Sequence, residues 1–109
     1  MSQATNRKSL IVEMLKNDPS DVFLNYALGI EFISENDLEN AIAQMEKVLE
    51  KDPEYLACYY QLGKLYEQKS NLERAKTYYT SGLEKAQLKN DLKTHGELSE
   101  ALMMIDDAE

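Results

Sequence analysis

At 109 residues the chain has room for one domain, with a core near the lower end of comfortable stability. Hydrophobic residues make up 43% and charged residues 29%, a globular balance that excludes disordered, collagen-like and mucin-like classes. Twenty Asp and Glu against twelve Lys and Arg leave a net charge of -8, which repels phosphate backbones and argues against a nucleic-acid partner.

In chain order, Lys8 to Asn17 places Leu10, Ile11, Met14 and Leu15 ahead of Asp18-Pro19 and predicts a first helix. Glu13 and Lys16 break its apolar run, so it lacks the h-region of a signal peptide, and no run approaches the roughly 18 apolar residues of a membrane span. Proline lacks a backbone N–H and disfavours helix at the residue before it, so Asp18 and Asp52, each followed by Pro, mark helix ends. Between them, Phe23, Leu24, Leu28, Phe32 and Ile33 recur at helical spacing over Val22 to Ser34. Asn36 suits a left-handed turn, and Asp37 suits the cap of a helix from Leu38 to Lys51. The same grammar then returns: a helix over Leu56 to Lys69, a turn at Ser70, a cap at Asn71 and a helix over Leu72 to Gln87. Asp91 opens a last helix with Leu98, Ala101, Leu102 and Ile105 as its apolar stripe, and the acidic end DDAE is expected to fray.

LGIEFISENDLENA, from Leu28 to Ala41, thus recurs as LGKLYEQKSNLERA, from Leu62 to Ala75. The copies share Leu, Gly, Leu, Glu and Ala and differ mostly in charge, so the repeated element is a packing pattern. A mid-helix glycine costs about 1 kcal/mol relative to alanine, and its return at one phase implies a steric need. Gly29 is expected to face Ala41, and Gly63 to face Ala75. Leu28, Phe32, Leu38, Met45 and Leu49 would fill the first hairpin, and Leu62, Tyr66, Leu72, Tyr79 and Leu83 the second.

With this period the chain resembles the tetratricopeptide repeat family, built of 34-residue helix-turn-helix units. The residues that carry the likeness are Leu28-Gly29, Phe32, Ala41, Met45, Val48 and Pro53, then Tyr59, Leu62-Gly63, Tyr66, Ala75 and Tyr79. Asn25, Gly82 and Gln87 depart from the family pattern, and Gln87, where a closing proline would stand, suggests that its helix runs on or ends differently. The resemblance implies an all-α fold of tandem antiparallel hairpins in a right-handed superhelix. It divides one domain, 1–109, into an N-terminal capping helix (4–19), repeats at 22–55 and 56–89, and a C-terminal capping helix (90–106).

No residue pattern points to catalysis, a metal or a cofactor. His95 and Cys58 are each alone of their kind, which excludes metal sites with two or more His or Cys ligands. Cys58 reads as a buried thiol, and with no second cysteine for a disulfide the expected compartment is the cytoplasm. Pairs such as Glu35 with Glu39 read as solvated helix charge, and the four glycines form no phosphate loop.

The resemblance implies a concave groove lined by the first helix of each repeat, receiving a peptide or helix of another protein. By position this takes in Phe23, Tyr26, Ala27, Ile30 and Ile33, then Ala57, Tyr60, Gln61, Lys64, Glu67 and Gln68. Tyr26 and Tyr60, 34 residues apart, would form a two-rung ladder. The family's carboxylate clamp is absent, because its positions read Tyr26, Ile30, Ala57 and Gln61, so an apolar or aromatic segment is expected. Two alternatives compete for the same residues: cover by the C-terminal helix, and a homodimer supplying the burial that two repeats lack.

Overall fold

The computed structural model describes residues 3–108, with side chains from 6 to 107. Six helices follow one another: α1 (Gln3–Asn17), α2 (Val22–Ser34), α3 (Leu38–Lys51), α4 (Leu56–Gln68), α5 (Leu72–Leu88) and α6 (Leu92–Ala108). No strand occurs among the described residues. The helices fall into two compact units, α1–α3 ending at Pro53 and α4–α6 beginning at Glu54.

In the first unit α2 and α3 form an antiparallel hairpin and α1 lies against α2. Ile11, Ala41, Ile42, Met45 and Val48 are buried. In the second unit α4 and α5 form the hairpin and α6 packs against α5, around Ala75, Tyr79, Leu98, Ala101 and Ile105. Tyr66, Leu72, Leu83 and Leu102 close over that cluster. The described chain end is helical through Ala108, and Asp106 pairs with Lys76 at 3.3 Å; Glu109, the last residue of the DDAE end, lies outside the described residues.

Three tight turns join the helices, and each contains a residue in the left-handed region: Asn36 (φ 58°), Ser70 (φ 61°) and Asn90 (φ 60°). The turn places the next two N–H groups on carbonyls of the helix just ended. Asn36 N donates to Ile33 O and Asp37 N to Phe32 O, both at 2.9 Å, and the same pair of bonds recurs at Ser70-Asn71 and Asn90-Asp91. The residue after each left-handed position then caps the next helix. Asp37 Oδ1 accepts from Asn40 N, Asn71 Oδ1 from Arg74 N and Asp91 Oδ1 from Thr94 N. One dipeptide therefore stops one helix and starts another.

The glycines meet larger partners than the sequence suggested. A Cβ on Gly29 would lie 2.7 Å from Met45 Cε, and one on Gly63 would overlap the Cε1 edge of the Tyr79 ring. The nearest atoms are thus those of the large residue four positions beyond Ala41 and Ala75, because a long side chain reaches across the crossing where a methyl cannot. Both alanines are themselves fully buried. Gly82, a departure from the family pattern, lets α4 and α6 close in: its Cβ would sit 2.6 Å from Tyr59 Cβ and 3.0 Å from Leu98 Cδ1. The helix α5 ends at Leu88, one residue beyond Gln87.

Candidate functional site

The first unit opens a cleft of about 370 Å³ between α1 and α2. Ile11, Phe23, Tyr26, Ala27 and Ile30 supply its apolar wall, and Arg7 with Glu31 its charged end. Phe23, in the first turn of α2, is 66% exposed; Tyr26 and Ile30 are half-buried, as is Ile33 one turn further along α2. At the N-terminus of this helix the Asp21 carboxylate accepts from Leu24 N at 2.8 Å, which fixes the angle at which Phe23 leaves the backbone.

Glu31 lies on the opposite side of the energetic ledger from its neighbours, a carboxylate only 3% exposed in a helix otherwise almost wholly apolar. Its Oε2 accepts from Arg7 Nε at 2.8 Å. Its Oε1 is buried and has no hydrogen-bond partner among the described residues. One turn on, Lys8 spans the same two helices, 3.0 Å from Glu35 Oε1 and 4.6 Å from the centre of the Phe32 ring. Neither Arg7 nor Glu31 was among the candidate residues. The available signal was Glu31 itself, the one charged residue in VFLNYALGIEFIS.

In the second unit, Tyr60 and Lys64 of α4 meet Glu97, Glu100, Ala101 and Met104 of α6 around a cleft of about 230 Å³. Lys64 sits 5.4 Å from the Tyr60 ring centre and 3.9 Å from Glu67 Oε2. Gln61 is half-buried. Glu67 accepts a short hydrogen bond from the Tyr79 hydroxyl, so its carboxylate is engaged with the core of its own hairpin. Burial, and then that carboxylate, push the Tyr79 phenol far above the usual tyrosine range. Tyr60 completes the cluster, its ring centre 6.2 Å from that of Tyr79.

Asn25 departs from the family's large apolar residue and is 1% exposed. Its amide donates to Pro19 O at 3.0 Å and Asp21 O at 2.8 Å, and its oxygen accepts from Gln44 Nε2 at 2.6 Å. It therefore ties the α1–α2 turn to α3 within the first unit. Cys58 is buried and forms no disulfide, and His95 is half-buried beside Asn90 and Asp91. Among the described residues no three His, Cys, Asp or Glu side chains gather as a metal site would need. No described helix is long and apolar enough to cross a membrane.

Helical hairpins with one turn chemistry, one cap position and one small-against-large crossing define a helical-repeat protein. Residues 32–94 match the tetratricopeptide repeat family, and the chain belongs to it. A TPR repeat-containing protein of Pseudomonas aeruginosa is 27% identical over 96 residues, 88% of this chain and 91% of its own length. The solution structure of a tetratricopeptide repeat domain protein from Salinibacter ruber superposes with a TM-score of 0.79 at 36% identity, covering 84% of this chain and 93% of that one. The TPR2B-domain:pHsp70 complex of yeast Sti1 gives a TM-score of 0.88 at 18% identity, over 98% and 86% of the two chains, a likeness of fold.

Proposed function

We propose that the chain is a non-enzymatic protein-interaction module of the cytoplasm that holds a peptide or helix segment of another protein against the first helices of its repeats. The repeats are taken as 22–55 and 56–89. The first unit contributes Phe23, Tyr26, Ile30 and Ile33, and the second Tyr60, Gln61, Lys64 and Glu67. The observation that carries this reading is Phe23, a large aromatic two-thirds exposed at the rim of an apolar cleft. Aromatic anchors give broad contact for little lost rotamer freedom. Family membership supports binding over catalysis, and the Sti1 neighbour is itself a complex with pHsp70. A single buried cysteine, with no second one to form a disulfide, supports a reducing compartment.

A displayed library of 12-residue peptides selected on the full chain tests the proposal. Selected peptides should lose binding to Phe23→Glu and retain it for Glu50→Gln, a surface change on α3. Sequences that bind both variants equally would sink the proposal. The exposed Phe23 also suits a second copy as occupant, and light scattering separates the two: a solution mass that Phe23→Glu halves means a homodimer, whereas one mass for both proteins leaves the face for a partner.

A further inference from the structure

The cleft of the first unit carries a feature that an apolar peptide alone would not require. Glu31 is buried, yet among the described residues only one of its two oxygens has a hydrogen-bond partner. A buried carboxylate is tolerated when it is paired and fully hydrogen-bonded, and an orphaned oxygen keeps the desolvation cost of its burial. The one donor it has is weakly committed. Arg7 binds through Nε alone, without the two-pronged fork that guanidinium and carboxylate favour, and its side chain is 63% exposed. A half-satisfied acceptor is thus closed over by a half-committed donor at the end of an apolar cleft.

We propose that Arg7 holds the place of a basic side chain of the partner, and that the first-unit cleft receives an apolar segment carrying Lys or Arg. This rests on reading the cleft as a peptide-binding surface. Phe23, Ala27 and Ile30 take the apolar side chains, while the incoming cation displaces Arg7 and bonds to Glu31, Oε1 included. The sign of the partner follows from charge. Residues 1–54 hold eleven acids and five bases, so an anion drawn to Arg7 would meet Glu31 and that surplus, whereas a cation is attracted by both. The volume, about 370 Å³, is at the small end for ligand pockets and suits one or two side chains of a segment rather than a free metabolite.

Three synthetic 12-residue peptides test the inference on the full chain. They share one helical pattern of Leu and Phe and carry Lys, Gln or Glu at the remaining positions. Binding is read by anisotropy, and its place by the resonances of Phe23, Tyr26 and Ile30. The Lys peptide should bind about tenfold or more tightly than the Gln peptide, the scale of one charge-assisted hydrogen bond. Glu31→Gln should lower that ratio severalfold while leaving the Gln peptide's affinity in place, the remainder being the pull of the other acids of residues 1–54. Arg7→Met should tighten the Lys peptide, because no side chain then competes for Glu31. A ratio that Glu31→Gln leaves unchanged, or weaker Lys-peptide binding by Arg7→Met, overturns the inference. If the three peptides bind alike at Phe23, Tyr26 and Ile30, the peptide-binding reading stands and the inference alone falls. If none binds there, both fall; and should Glu31→Gln fail to fold, Arg7→Met decides.

Discussion

Gly63 and Gly96 both sit inside helices, yet a methyl group should have opposite effects at the two. On Gly63 it would overlap the edge of the Tyr79 ring, which is fully buried and hydrogen-bonded to Glu67, so the ring has no cheap way to yield. Gly63→Ala is expected to cost about 1–3 kcal/mol by overpacking. Nothing lies within 4 Å of a Cβ on Gly96, so Gly96→Ala should gain up to about 1 kcal/mol through helix propensity. Gly29→Ala should fall between them, since Met45 presents the far end of a flexible side chain. Urea melts of the three variants check the order. Recurrence at one phase made the steric need of Gly29 and Gly63 legible in the sequence, but the partner was not, because a contact across a helix crossing depends on side-chain reach. Asn25 was legible only as a departure; its three hydrogen bonds depend on a turn and a facing helix that sequence spacing does not place.

At the scale of the element, the turns were the most readable feature. Asn36-Asp37 and Ser70-Asn71 were recognisable because left-handed backbone and N-capping each favour a short list of side chains. Asn90-Asp91 carries the same signal, and Asn90 does adopt the third left-handed conformation. Serine is the least suited of the three to that backbone, so Ser70→Asn is expected to raise the melting temperature, by up to about 1 kcal/mol of stability. Asp91 gives α6 a pH dependence. Its hydrogen bonds from the Thr94 backbone and hydroxyl hold the carboxyl below its usual range, with Lys93 and Lys89 assisting against a small opposing effect of desolvation. A lowered folded-state pKa favours the charged form, so the contribution is complete above the unfolded-state value and disappears as pH falls through the folded one. The protection of amides in the first turn of α6, taken relative to their unfolded exchange rate at each pH, should therefore fall on acidification, and Asp91→Ala should show the lower protection at neutral pH already.

For the whole molecule the governing quantity is the net charge of -8. The ion pairs that offset it, such as Lys16 with Glu13 and Lys85 with Glu54, are largely exposed and contribute little in water. Self-repulsion should then outweigh them, and the melting temperature is expected to rise between low and physiological salt. A fall over that range would show the pairs to be dominant. The all-helical class and the hairpin order were readable because both rest on apolar periodicity and on turn residues, which are local. The charged end of the first-unit cleft was not, because Arg7 and Glu31 stand 24 residues apart and meet only when α1 docks on α2.

The bond from Tyr79 to Glu67 also gives the second unit a built-in optical signal. The chain has seven tyrosines and no tryptophan, so its ultraviolet emission comes from phenols alone. A phenol that donates to a carboxylate emits weakly, and rupture of this bond on unfolding should brighten it, without any attached dye. The same buried phenol resists alkali: with its folded-state pKa raised, the neutral form is favoured, and the stability this supplies is lost as pH climbs beyond the ordinary tyrosine value of about 10. An absorbance titration should accordingly find at least one phenolate fewer in the folded chain than in the denatured one, and Tyr79→Phe should lower that difference by one.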